Sequence, residues 1–349
     1  MASSAPMAAI FGMAGLTLTG AERGFFSRTR PMGYILFARN IQNPDQVIAL
    51  VNDLRYLDPT YDPLVLIDQE GGRVQRLKPP YWRFAPTMAE FGDLHARNPA
   101  KAAEVLRLNM HMIGAELQAL GIDVDCAPVM DVPVPGSHDV IGDRAFSGDP
   151  AVVAAMAPTV CEGLIDAGVV PVIKHIPGHG RAASDSHKEL PVVKDDLATL
   201  RANDFVPFKA LCATPLQSSC FAMTAHVVYT ALDPDKPATT SKTVITDFIR
   251  GEIGFRGLLM SDDLGMKALS GSFDARAEAA LAAGCDVVLH CDGTMADMEA
   301  VAKGTGALGT NGLKALEDTA AIRRKPRNQI ANVAVASFQV LDALRHGTA

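Results

Sequence analysis

Three histidines, His175, His179 and His187, fall within thirteen residues of the stretch KHIPGHGRAASDSHKELP (174–191), beside Lys174 and Asp185. Imidazoles can ligate zinc, but spacings of four and eight with Pro177, Gly178 and Gly180 between them match no helical H-E-x-x-H pattern. A carboxylate two residues from an imidazole can fix its tautomer and raise its basicity. Asp185 and His187 are therefore a candidate acid–base pair. Gly178, Gly180, Ala182, Ala183 and Ser184 suit a loop that moves. The same composition also suits a plain solvated turn, and spacing alone leaves the metal, proton-transfer and turn readings open.

Two other stretches bring carboxylates to the end of an apolar run. LLMSDDLGM (258–266) ends in Asp262 and Asp263. Adjacent strand residues point to opposite faces, so one of the pair should face a site and the other is free to cap a helix. LIDQEGGRVQR (66–76) supplies Asp68, Gln69, Glu70, Arg73 and Arg76, a set suited to a polar, hydroxylated ligand or again to a helix cap. KGTGALG (303–309) satisfies G-x-G-x-x-G but follows the helical pattern MADMEAVAK, so it reads as a helix stop and loop.

The elements that must carry these residues recur along the chain. Eight apolar runs occupy 8–18, 33–40, 63–72, 121–132, 168–178, 219–228, 257–264 and 285–293. They lack alternating polarity, which is how strands of a parallel sheet buried on both faces look. Helical patterns lie between them at 99–119, 149–167, 195–211 and 273–283, the first two stopped near Gly121 and Gly168. Polar residues gather at the C-terminal ends of most runs: Arg39-Asn40, Asp68 to Glu70, Asp131, Lys174-His175, His226 and Asp262-Asp263. Barrel enzymes build their sites from the ends of many strands, whereas doubly wound sheets use one switch point. A single (β/α)8 TIM-type barrel over residues 1–349 is expected, with a helical C-terminal segment at about 313–345.

The 349 residues are 48% hydrophobic and 20% charged, with a net charge of −7. That balance argues for a large core and against broad attraction to nucleic acid or anionic lipid. Six cysteines form no CxxC pair and suit buried thiols in a reducing compartment. The opening MASSAPMAAIFGMAGLTLTG lacks a basic n-region and is broken by Gly12 and Gly15, so it does not read as a signal peptide. No run is long enough for a membrane span. A cytoplasmic protein with no membrane contact and no obligate protein partner is expected.

Together the stretches GYILFARN, LIDQEGGRVQRL, APVMDV, IGDRAFS, KHIPGHGRAASDSHKELP, MTAHVVY and SDDLGMKAL resemble the family 3 glycoside hydrolases. The similarity is greatest to the single-domain bacterial β-N-acetylhexosaminidases of cell-wall recycling, and it covers about residues 10 to 295 in the family's order. The resemblance implies a retaining exo-β-N-acetylglucosaminidase acting on peptidoglycan-derived muropeptides, with no metal and no cofactor. It makes Asp262 the nucleophile and His187 the acid/base supported by Asp185. Asp68, Arg76, Arg144, Lys174 and His175 match the positions that hold the N-acetylglucosamine ring. Ile176 and Gly265 depart from the usual motifs, away from the expected chemistry. Nearby Lys174, Arg76 and Arg144 are expected to keep Asp262 ionised. Two rival enzymes remain, a phosphorylase in which phosphate replaces water and a metal-dependent barrel hydrolase. A catalytically silent sugar-binding protein is the rival of another class.

Overall fold

The computed structural model describes residues 5–325 and 332–347. Eight parallel strands close into a barrel. In chain order they are β1 (Met7–Phe11), β2 (Pro31–Leu36), β3 (Leu64–Ile67), β4 (Val124–Asp125), β5 (Val170–Ile176), β6 (Phe221–Thr224), β7 (Leu259–Asp263) and β8 (Val287–His290). Each overlaps one of the eight apolar runs, β1 starting one residue and β2 two residues ahead of theirs, and the run at 8–18 carries the first barrel strand. β8 pairs with β1 through Ala9–Val288 and Ile10–Leu289, which closes the ring.

Strand alternation sorts the core into two layers. Ala8, Ile10, Leu64, Leu66, Val124, Val170, Val172, Met260, Val287 and Leu289 belong to one cluster, which fills the barrel. Their neighbours Ala9, Phe11, Val65, Ile67, Ile173, Leu259 and Val288 belong to a second, packed beneath the helices. Buried on both faces, the strands need no polar positions until they reach the mouth.

The helix Pro99–Ala119 begins with the Asn98 side chain accepting from Lys101 N at 3.1 Å, with Pro99 preset for the first turn. The helix Pro150–Asp166 is capped alike by Asp149. Gly121 and Gly168 follow these helices at φ +81° and +87°, a conformation that costs glycine little. The pattern at 195–211 does not make one helix. It breaks into Leu197–Ala202 and Phe205–Cys212, and Asp204 in the break turns inward to meet Arg181 at 2.6 Å.

The C-terminal segment contributes Thr310–Arg323 and Val333–His346. Residues 326–331, within the expected helical segment, lie outside the described residues, as do 1–4 and 348–349. Leu308, Ala315 and Ile322 join the barrel-filling cluster, so the Thr310–Arg323 helix plugs the end opposite the mouth. The glycines of KGTGALG lie in the loop before it, not at the end of a strand. Among the described residues no helix is long and apolar enough to cross a membrane, and all six cysteines are free.

Candidate active site

The inward parity of the strands decides which side chains reach the mouth. Asp68 continues Leu64 and Leu66, Lys174 continues Val170 and Val172, and Asp262 continues Met260. All three line a cleft of about 510 Å³ at the C-terminal end of the barrel. Arg76, Arg144, His175, Asp185 and His187 line it as well, so every residue expected at the site is gathered in one place.

One wall is an alternating chain of charges. Lys174 Nζ donates to Asp68 Oδ1 at 2.9 Å and lies 2.6 Å from Glu70 Oε1. Arg144 grips Glu70 with two parallel bonds, Nε to Oε2 and Nη2 to Oε1, both 2.8 Å. Arg76 Nη2 reaches Asp68 Oδ2 at 3.2 Å while its guanidinium lies over the Phe37 ring. Burial opposes ionisation of Asp68 and Glu70, but the flanking cations outweigh it and hold both carboxyls below their ordinary range. Gln69 fixes the turn beneath them, its Oε1 accepting from Arg76 N at 2.8 Å and Leu77 N at 3.0 Å.

A second carboxylate organises the stem of the histidine loop. Asp131 Oδ2 lies 2.7 Å from His175 Nδ1, and its Oδ1 accepts from the backbone N–H of His175 at 3.1 Å and of His179 at 2.6 Å. Burial opposes ionisation here too, yet His175 beside it brings the carboxyl down to about 2. The register of β5 against β6 slips between Lys174 and Ile176, and both Lys174 and His175 line the cleft. His187 Nδ1 lies 2.8 Å from Asp185 Oδ1, which also accepts from His187 N at 2.9 Å. The His187 side chain is 65% exposed.

Asp262 and Asp263 both border the cleft, against the expectation that only one would. The register of β7 against β8 shifts between Met260 and Asp263, which relaxes strict alternation. Their bonding still separates them. Asp263 Oδ1 accepts from Cys291 N at 3.0 Å and Gly265 N at 2.9 Å, so it ties strand ends together. Asp262 accepts one bond, from Asp263 N at 2.8 Å.

The cations expected to ionise Asp262 are not the ones that do so. Lys174, Arg76 and Arg144 are matched by Asp68 and Glu70. Burial pushes the Asp262 carboxyl up, but His226, His175, the Asp263 N–H and His187 outweigh it and leave the carboxyl below its ordinary range. His226 itself is buried, and burial holds its own proton affinity down. Its Nε2 lies 3.0 Å from Asp263 O, a carbonyl that can accept but not donate, so Nε2 carries the hydrogen. Its Nδ1 lies 2.7 Å from Thr239 Oγ1.

Glu70, Asp131, His179 and His226 are the site residues that sequence reasoning did not assign. Glu70 and Asp131 stand at strand ends, beside residues that were assigned, and that position was the available signal. His226 carried the same signal. His179 had none beyond its place between two other histidines.

A closed (β/α)8 barrel whose strand ends present carboxylates, imidazoles and guanidinium groups in one open cleft defines a barrel enzyme for a polar, hydroxylated substrate. The family model "Glycosyl hydrolase family 3 N terminal domain" matches residues 26–317. The chain belongs to that family and is a glycoside hydrolase. It is 41% identical over 283 residues to the beta-hexosaminidase of Nitrosomonas eutropha, covering 80% of this chain and 79% of that protein. It is 38% identical over 322 residues to the beta-hexosaminidase of Stenotrophomonas maltophilia, covering 88% and 94%. The crystal structure of NagZ from Neisseria gonorrhoeae in complex with N-trifluoroacetyl-D-glucosamine superposes with a TM-score of 0.81 at 27% identity, covering 99% of each chain.

Proposed function

We propose that this chain is a retaining exo-β-N-acetylglucosaminidase that removes terminal N-acetylglucosamine from peptidoglycan-derived muropeptides in the cytoplasm. The observation that carries the mechanism is the fate of the four cleft carboxylates. Asp68 is held by Lys174 and Arg76, Asp185 by His187, and Asp263 by two backbone amides. Asp262 takes a single amide bond and, among the described residues, no ion pair. It is ionised, unencumbered and aimed into the mouth, as a nucleophile must be.

In the first step an Asp262 oxygen bonds to the anomeric carbon as the glycosidic C–O bond breaks. The departing oxygen takes the Nε2 proton of His187. Asp185, on Nδ1, orients the ring and stabilises the imidazolium that donates. In the second step His187 Nε2 takes a proton from water, which attacks the anomeric carbon and frees Asp262. Two inversions give net retention. Asp68, Arg76, Arg144, Lys174 and His175 bind the sugar hydroxyls and the N-acetyl group from the charged wall. Glu70 holds Arg144 and Lys174 in place.

Support for the sugar comes from the beta-hexosaminidase relatives and from the glucosamine derivative in the gonococcal neighbour. Six free cysteines suit a reducing compartment. Kinetics on a panel of p-nitrophenyl glycosides, followed by NMR of the first-formed anomer, tests the reading. The N-acetyl-β-glucosaminide should turn over fastest and release the β-anomer. Release of a sugar 1-phosphate in phosphate buffer would make the enzyme a phosphorylase instead.

A further inference from the structure

The stem of the 174–191 loop, whose glycines are expected to let it move, is bonded on several sides. Tyr229 Oη donates to Gly178 O at 2.6 Å, and Arg181 binds Asp204 and Asp195 at 2.6 and 3.1 Å. His138 N donates to Ala182 O at 2.9 Å. Gly180 is present because a Cβ would meet Val132 O at 2.1 Å. Gly180 serves close packing.

Beyond Ala182 the chain changes character. Ala183, His187, Lys188, Glu189 and Leu190 are exposed, forming an arm that carries the Asp185–His187 pair. Ser186, between the members of that pair, is 3% exposed. Its Oγ lies 3.3 Å from His179 Nε2, and its carbonyl accepts from Ala268 N at 3.2 Å. His179 belongs to the fixed stem, held through its backbone N–H by Asp131 and packed edge-on against His175 with ring centroids 5.6 Å apart. Ala268 lies in the turn that follows Asp262. Arg276 pins that turn by donating to Leu264 O at 2.7 Å and Gly271 O at 3.0 Å.

We infer that Ser186 is a positioning residue, the latch that holds the acid–base arm over the cleft by bridging the β5 stem and the turn after β7. The inference rests on the reading of His187 as acid/base. A single residue thus ties the arm to both elements that carry the reacting groups. The fastening is two neutral hydrogen bonds, weak enough to open for substrate entry and product exit. Among the described residues Asp185 and His187 bond within the arm and not to the stem, so the arm's placement depends on the residue between them.

The test is Ser186→Ala, with His179→Leu as a second variant that keeps the backbone bond to Asp131 and cannot bond Ser186. Loss of one neutral hydrogen bond should lower the latched population about three- to tenfold. Ser186→Ala should therefore lower kcat/KM by about that factor for glycosides with poor leaving groups and spare dinitrophenyl glycosides, whose departure needs little protonation. In a His187→Ala background the effect should vanish. Amide hydrogen exchange should speed up across 183–190 and stay unchanged across 174–182, and His179→Leu should reproduce the leaving-group pattern and the faster exchange across 183–190. An equal loss on both substrate classes, the same loss without His187, or unaltered exchange of the arm would overturn the latch. If His187→Ala itself shows no dependence on leaving group, the acid–base reading fails, and exchange of the arm still decides the role of Ser186.

Discussion

Lys174 Nζ lies 2.6 Å from Glu70 Oε1, and both side chains are almost wholly buried. Arg144 holds the same carboxylate with two further bonds of 2.8 Å. Removing Glu70 leaves Arg144 without its carboxylate and Lys174 with Asp68 alone, and breaking a buried pair typically costs about 3–5 kcal/mol. Glu70→Gln should therefore lower Tm clearly and raise KM more than it lowers kcat. The stabilisation comes from an ionised carboxylate held below its ordinary 4.5. It is present in full above pH 4.5 and lost as pH falls through the depressed value. The Tm gap between wild type and variant should thus be constant near neutrality and close in acid. A gap that widens in acid would contradict the ion-pair account.

His187→Ala should hurt glycosides with poor leaving groups about 10²–10⁴-fold more than activated aryl glycosides, the usual range of general acid assistance. Asp185→Asn should give a weaker form of the same pattern and lower the basic limb of the kcat/KM profile, since a neutral partner no longer stabilises the imidazolium. Azide, which needs no general base, should restore kcat of His187→Ala on activated substrates. An even loss across the leaving-group series would place the proton donor elsewhere.

Gly180→Ala and Gly306→Ala make a contrasting pair. The first puts a methyl against Val132 backbone in the stem of the histidine loop, whereas the second meets nothing within 4 Å. Overpacking of this kind costs about 1–3 kcal/mol or more, and Gly→Ala in open space is tolerated. Gly180→Ala should lose stability and activity together. Gly306→Ala should leave both unchanged, which a phosphate cradle in KGTGALG would not permit.

The three histidines of the loop are spoken for by other partners. His175 faces Asp131, His179 faces Ser186, and His187 faces Asp185. Among the described residues no group of three or more His, Cys, Asp or Glu is placed to hold a metal ion. Dialysis against EDTA should accordingly leave kcat/KM unchanged. Loss of activity that zinc restores would revive the metal-dependent reading.

The barrel was legible because burial on both faces writes each strand as an uninterrupted apolar run, and because polar residues begin where the run reaches the mouth. Asp68, Lys174 and Asp262 could be placed from those endings. What could not be read was partnership. Glu70 and Asp131 are ordinary acidic residues until the closed barrel brings Arg144, from the loop after β4, and His175, from β5, onto them. The same holds for the cations expected beside Asp262, which Asp68 and Glu70 neutralise. Gly178 and Gly180 carried a second meaning for a related reason: glycine in a loop permits motion or close approach, and only the neighbours Asp204 and Val132 show the close approach. The break in the 195–211 helix rests on Asp204 turning toward Arg181, a long-range pair that local periodicity does not register.

In the proposed mechanism Asp262 is the residue that takes the sugar. Incubation with a 5-fluoro N-acetylglucosaminyl donor, followed by proteolysis and mass spectrometry, measures that directly. The adduct should form on Asp262, with inactivation in step with labelling, and Asp262→Ala should neither label nor turn over while keeping its fold by circular dichroism. Labelling of Asp263 or Glu70, or turnover by Asp262→Ala, would contradict it.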